Sequence, residues 1–78
     1  MMSWKAVEEK HQKKYDRDYV SCEEKDERQY VIDSIMEQFP YFNKYSVARG
    51  VDHCCSTIPA PRERKKYFEC LSDTIGKV

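Results

Sequence analysis

Apolar residues recur along this chain at intervals of three and four, the spacing that places side chains on one face of an α-helix. In the first segment the positions on this spacing are Trp4, Val7, His11 and Tyr15. They predict a helix over residues 3–19 with a single narrow apolar stripe, since almost every other side chain there is charged or carries an amide. We therefore expect residues 1–20 to pack loosely.

A second helix is predicted from a capping motif that is followed by an apolar stripe. Ser21 and Glu24 have the spacing of a capping box. In this motif the Ser21 side chain would accept a hydrogen bond from an N–H of the first turn, and the Glu24 side chain would reach back to the N–H of Ser21. The helix is expected to run to about Gln38, because Pro40 disfavours helical geometry in the residue before it. Its buried face is predicted to consist of Val31, Ile32, Ile35, Met36 and Phe39.

Two further helices are predicted in the second half of the chain. The third begins at Asn43 or Ser46, either of which can cap a helix, and ends before Pro59. The fourth begins at Pro61, since proline suits the first helical turn, and closes at Gly76. The predicted buried stripes are Val47, Val51, Cys54 and Ile58 in the third helix and Tyr67, Phe68, Leu71 and Ile75 in the fourth.

The pattern as a whole predicts an all-α fold, a compact array or bundle of about four short helices in one domain over residues 1–78. No alternating, strand-like run bounded by hairpin turns interrupts it. Leu, Ile, Val and Phe together number only fourteen, but ten aromatic residues supply apolar area and the net charge is zero. We expect a folded domain with a thin, aromatic-rich core and the modest stability of a chain this short.

Hydropathy and the N-terminal charges predict a cytoplasmic protein without a membrane partner. No apolar run approaches the ~20 residues of a membrane-spanning helix. Glu8, Glu9 and Lys10 occupy the place where a secretory signal has its apolar core. In the cytosol thiols stay reduced.

The four cysteines are interpreted as small hydrophobic core residues. On the third helix Cys54 falls within the buried stripe and Cys55 at its margin, whereas His53 points to solvent. Zinc sites usually draw two convergent thiolates from a C-x₂₋₄-C spacing, which is absent here, so no metal or cofactor is predicted. Cys54 is expected to be buried and reduced. An alternative is a thiol-based metal or redox protein, with Cys22 and Cys70 approaching this pair in space.

Charge is divided unevenly, since residues 1–39 carry a formal charge of −3 and residues 40–78 carry +3. A basic run stands where the fourth helix is predicted to begin, and cations are disfavoured there by the helix dipole. The run either pairs with acidic residues of the first half or binds an external anion with the free N–H groups. The candidate anion or nucleic-acid contacts are Arg49, Arg62, Arg64, Lys65 and Lys66.

No hydrolase elbow, metalloprotease motif or phosphate-binding glycine loop is present, and the chain is predicted not to be an enzyme. The predicted function is a small helical interaction module that binds an unknown protein partner or itself. The alternative is a helix-turn-helix nucleic-acid-binding protein that uses residues 44–66. Its third helix would offer Tyr45, Arg49, Asp52, His53 and Ser56 to a groove. The long connection before this helix and the zero net charge speak against it.

Overall fold

The computed structural model describes residues 4–76, which form four short helices and one small antiparallel pair of strands. In chain order the elements are α1 (Trp4–Tyr15), β1 (Tyr19–Val20), α2 (Lys25–Gln38), α3 (Lys44–Thr57), β2 (Arg62–Glu63) and α4 (Arg64–Ile75). The predicted all-α fold of about four short helices is confirmed. Ser3, where the first helix was predicted to begin, lies outside the described residues.

The core lies where the apolar faces of the four helices meet, with α1 packed on α2, α2 on α3 and α3 on α4. The buried apolar residues are Val7, Val20, Val31, Ile32, Ile35, Phe39, Val47, Val51, Cys54, Tyr67, Phe68, Leu71 and Ile75. The predicted stripes of α2, α3 and α4 are therefore confirmed, except that Met36 and Ile58 are only partly buried. From α1, Val7 and His11 are wholly buried. The loose packing expected of residues 1–20 stays a prediction.

Helices α3 and α4 approach each other closely at Gly50. A Cβ atom on Gly50 would lie 2.4 Å from the Cγ1 atom of Ile75, well inside van der Waals contact. Only a residue without a side chain fits between the two helices at this height. The close approach brings the C-terminal end of α4 against α3 and leaves a shallow groove beside their contact, which is described below.

The strands β1 and β2 pair antiparallel, with Tyr19 opposite Glu63 and Val20 opposite Arg62. Strands of two residues are too short to show an alternating pattern, so the sequence did not predict them. Their pairing holds residues 62–63 extended, and α4 begins at Arg64 rather than at Pro61 as predicted.

The predicted capping box at the start of α2 is wrong. The N-cap residue is Glu24, and its side chain makes no capping hydrogen bond. The Ser21 hydroxyl instead lies 3.3 Å from the Glu23 carboxylate, while the Ser21 N–H donates to Glu27 at 3.2 Å. The prediction for α3 is confirmed, since the Asn43 side chain accepts hydrogen bonds from two N–H groups of the first turn.

Candidate functional site

All four cysteines lie within the described residues, and all four form disulfides: Cys22 with Cys55 and Cys54 with Cys70. The prediction that Cys54 is reduced is therefore wrong, although its burial is confirmed. The neighbouring side chains of Cys54 and Cys55 diverge as expected, since Cys54 bonds to Cys70 on α4 and Cys55 bonds to Cys22 before α2. Both bridges use the sulfurs that a thiol-based metal or redox function would need as thiolates.

The first bridge lies beside Arg62, the first residue of the basic run. The Arg62 Nε and Nη2 atoms donate to the Cys55 carbonyl at 3.1 and 3.0 Å, and Nη1 lies 3.5 Å from the Glu23 carboxylate. Arg62 is buried as a result. Its guanidinium thus stabilises the C-terminal part of α3, because it binds a carbonyl near the negative end of that helix.

The rest of the basic run is also largely paired within the chain. The Arg64 guanidinium donates to the Arg17 carbonyl, and it lies 3.9 Å from the Glu8 carboxylate. Lys66 lies 3.9 Å from Glu63. Lys65 is exposed and makes no ion pair with another described residue. The assignment of this run as an external anion site stays a prediction, although Arg62 and Arg64 already have anionic or carbonyl partners.

Beneath these contacts α1 and α2 enclose a charged cluster around Glu27. The Glu27 carboxylate, wholly buried, lies 2.7 Å from the Nε2 atom of His11 and also pairs with the Arg17 guanidinium. It accepts the Ser21 N–H as well. Three groups from three chain segments thus converge on one carboxylate, and their contacts offset the cost of burying its charge.

His11 is held in its neutral form within this cluster. Burial lowers the pKa of His11, and the nearby cations Arg17 and Arg64 lower it further, whereas the Glu27 carboxylate opposes the shift. The Nδ1 atom has no hydrogen-bond partner among the described residues. A neutral ring that donates from Nε2 to Glu27 accounts for both observations, because a protonated Nδ1 would be an unsatisfied buried donor. This buried pair is closed to any substrate.

A different surface is formed by the connection between α2 and α3, which we call the aromatic corner and define as Phe39, Tyr41, Phe42 and Tyr45. The Phe39 and Phe42 rings stack with centroids 4.8 Å apart, and Tyr41 meets Phe42 edge-on at 5.0 Å. Tyr41 and Tyr45 keep 72% and 81% of their surface exposed. The inner rings are anchored in the fold, while the outer two project into solvent.

Two neighbouring hollows beside the aromatic corner form what we call the α3–α4 groove. The first, of about 320 Å³, is lined by Tyr41, Phe42, Asn43, Ser46, Val47 and Ile75. The second, of about 330 Å³, is lined by Ser46, Arg49, Gly50, His53 and Thr74. Because Ser46 lines both, the two hollows adjoin, one with an apolar lining at the aromatic corner and the other with Arg49 in its lining.

Arg49 marks the cationic end of this groove, and it is exposed. All five arginines lie within residues 4–76, and four of them form ion pairs: Arg17, Arg28, Arg62 and Arg64. Arg49 forms none with a described residue. On the same face Asp52 is held by Arg28 at 2.8 and 2.9 Å, and this pairing lowers the pKa of the Asp52 carboxyl.

The five residues predicted to form the exposed face of α3 are all exposed: Tyr45, Arg49, Asp52, His53 and Ser56. Residues 40–43 were predicted only as a connection, so Tyr41 and Phe42 were missed as candidate site residues. The signal was present, because three aromatic residues within four positions exceed what a turn requires.

Comparison of the chain with protein-family models, with curated proteins and with solved structures found no match. Within residues 4–76 no group of three or more His, Cys, Asp or Glu side chains is placed to hold a metal ion. In the same part of the chain, no helix has both the length and the apolar character needed to cross a bilayer.

Proposed function

We propose that this chain is a small helical interaction module, without catalytic activity, that binds a protein partner through the aromatic corner. The observation that carries the proposal is the exposure of Tyr41 at an apolar hollow, with Tyr45 also exposed at the start of α3. Tyrosine is enriched at the energetic centres of protein interfaces, because it combines a large apolar ring with a hydroxyl that can hydrogen-bond. Exposed aromatic residues that cluster around a hollow are typical of a binding surface.

The organisation of the aromatic corner supports a preformed binding surface. Phe39 and Phe42 are stacked against each other, and the Trp4 ring lies 5.0 Å from Phe39. Tyr41 therefore stands on a packed aromatic base in the short turn between α2 and α3. The Phe42 N–H donates to the Phe39 carbonyl across this turn at 3.0 Å, so a partner that binds there loses little affinity to ordering the surface.

The electrostatics of α3 favour protein over nucleic acid as the partner. The Asp52 carboxylate lies on the face that a helix-turn-helix protein would present to phosphates, and Arg28 fixes it there. Arg62 and Arg64, the phosphate contacts of that alternative, bind groups within the chain. A nucleic-acid interface normally presents free cations instead.

The disulfides favour an oxidising compartment for this function over the predicted cytosol. Bridges of this kind form and persist in secreted or periplasmic proteins and are rare where glutathione keeps thiols reduced. A small domain with a thin core is also the kind of protein that gains most from such cross-links.

A peptide-display selection tests the proposal with matched variants. Immobilised protein is used to select binders from a random displayed library, and each binder is measured against Tyr41→Ser/Tyr45→Ser and against Tyr19→Ser. Tyr19 is the remaining large exposed aromatic residue and lies on β1, outside the aromatic corner. Binders that recognise the wild type and Tyr19→Ser but not the double variant support the proposal.

Self-association is measured in parallel by sedimentation, since a second copy of the chain is the other protein partner that was predicted. Dimers that dissociate in Tyr41→Ser/Tyr45→Ser place a second copy on the aromatic corner. Equal binding and equal sedimentation of the wild type and the double variant contradict the proposed surface. Circular dichroism shows whether each variant keeps the helical fold.

A further inference from the structure

We infer that the α3–α4 groove takes an acidic protein segment, with an apolar side chain of that segment beside Phe42 and a carboxylate on Arg49. This inference rests on the proposed function and specifies the chemistry of the partner. The inference follows from how the lining of the groove changes along α3. The lining is apolar at the aromatic corner and becomes cationic one helical turn further along the helix.

Arg49 is the group that points to an anion. The other four arginines are each paired with a carboxylate, whereas Arg49 is exposed without an ion pair to a described residue. No Asp or Glu among the described residues lines either hollow of the groove. A guanidinium presents a planar fork of donors that matches a carboxylate with two parallel hydrogen bonds. The groove therefore lacks the acceptor that this fork would bind, and a partner can supply it.

The apolar end of the groove points to a side chain as the other anchor. Its volume of about 320 Å³ is at the lower end of the range for ligand pockets, roughly 300–1,000 Å³. Val47 and Ile75, both core residues, contribute to its lining beside the Phe42 ring. A hollow of this size and lining suits one or two apolar side chains better than a large cofactor.

The spacing of the two ends limits the pattern of the partner. Ser46 of the apolar hollow and Gly50 of the cationic hollow stand one turn apart on α3, which is about 6 Å at 1.5 Å per residue. An extended segment advances about 3.3 Å per residue, so its carboxylate would stand two positions from its apolar anchor. A helical segment would need a separation of three or four positions.

The local charge agrees with this chemistry. The acidic residue of α3, Asp52, is neutralised by Arg28. An acidic segment is thus not repelled by α3 at the groove.

The experiment is a second selection from the displayed library, using the intact disulfide-bonded protein and the variants Arg49→Gln and Arg49→Glu. We expect the peptides selected by the wild type to carry an aromatic or aliphatic residue together with an Asp or Glu. The two residues should be two positions apart in an extended peptide or three to four positions apart in a helical one. Synthetic peptides from these selections should bind Arg49→Gln about tenfold more weakly, since a charge-assisted pair is lost. Arg49→Glu should select Lys or Arg at the same position.

The matched control is Lys65→Gln, which also removes an exposed cation that has no ion pair with a described residue but lies at the start of α4. It should bind the selected peptides as the wild type does. A mixed-sequence single-stranded DNA is titrated as well, because aromatic rings beside an arginine can also stack bases. If the protein binds this DNA with an affinity that rises as the salt concentration falls, and Arg49→Gln weakens that binding, the inference is overturned in favour of nucleic acid.

The other outcomes separate this inference from the proposed function. Peptides that bind the wild type and Arg49→Gln equally, yet fail to bind Tyr41→Ser/Tyr45→Ser, overturn the inference and leave the proposed function standing. Peptides indifferent to both variants overturn both. A selection that enriches no acidic pattern also overturns the inference. Arg49 is exposed and forms no ion pair with a described residue, so Arg49→Gln is expected to fold, and circular dichroism checks this.

Discussion

The Nε2 atom of His11 lies 2.7 Å from the Oε2 atom of Glu27, and the two side chains keep 1% and 0% of their surface exposed. An imidazole and a carboxylate thus form a buried polar pair at the α1–α2 contact in a core that is otherwise thin and aromatic. Because burial holds His11 neutral, this pair ties the stability of the fold to pH and to the charge of Glu27.

The first prediction is that the protein loses stability on mild acidification. The pKa of folded His11 is lowered, whereas unfolded histidine titrates near 6.5, so the unfolded chain binds more protons as the pH falls below about 7. The free energy of unfolding should therefore decrease between pH 8 and pH 5.5, as measured by urea titration. His11→Gln should flatten this dependence, and His53→Gln, on the exposed face of α3, should leave it unchanged. An equally steep dependence in His11→Gln would contradict the assignment.

The second prediction concerns the charge at the centre of the cluster. Glu27→Gln keeps the shape of the side chain but leaves the Arg17 guanidinium without its buried partner, and we expect a loss of about 3 kcal/mol in unfolding free energy. Glu24→Gln is the matched control, because Glu24 is exposed and lies 3.5 Å from the same guanidinium. Glu24→Gln should lower the unfolding free energy by less than about 1 kcal/mol. If urea titrations show equal losses of unfolding free energy in Glu27→Gln and Glu24→Gln, the buried position of Glu27 adds nothing to the stability of the fold.

The third prediction is that the purified protein contains two disulfides. Peptide mapping by mass spectrometry under non-reducing conditions should join Cys22 to Cys55 and Cys54 to Cys70. Replacing either pair by serine should lower the unfolding free energy by about 2–5 kcal/mol, since each bridge restricts the unfolded chain. Rapid labelling of the native protein by a thiol reagent, or a different pairing, would contradict the structure.

The fourth prediction tests the close contact of α3 with α4. Gly50→Ala should lower the unfolding free energy by about 1 kcal/mol, because overlap with Ile75 outweighs the better helix propensity of alanine. In a double-mutant cycle with Ile75→Ala, the combined loss should be smaller than the sum of the two single losses. Strict additivity in thermal unfolding would mean that the two residues do not meet.

The helices could be predicted because their signal is local. Val31, Ile35, Leu71 and Ile75 repeat with the period of an α-helix, and that period alone determines which face is buried. The cap at Asn43 is similarly decided by neighbouring residues. Such features need no knowledge of distant parts of the chain.

The remaining features depend on residues far apart in the sequence, and so they were missed. Glu27 stands in a charged run and is buried only because α1 and the segment before α2 supply donors to it. The disulfides were missed because the chain was expected in the cytosol, where thiols stay reduced, and four cysteines in any case allow three pairings among which spacing cannot choose. Arg62 has its position because β1 and β2 pair although Val20 and Arg62 are 42 positions apart in the sequence (62 − 20 = 42). That Arg49 lacks an ion pair within residues 4–76 likewise emerges only when every other arginine has its partner.

The two disulfides have a topological consequence, because they start from adjacent residues. One ring closes from Cys22 to Cys55 and the other from Cys54 to Cys70, so the rings overlap at the Cys54–Cys55 peptide bond. Every peptide bond between Cys22 and Cys70 therefore lies inside at least one ring. A protease that cuts once in this stretch, for example at the exposed loop carrying Tyr41, opens the chain without releasing a fragment. The aromatic corner can thus be cleaved while both halves of the molecule stay covalently joined.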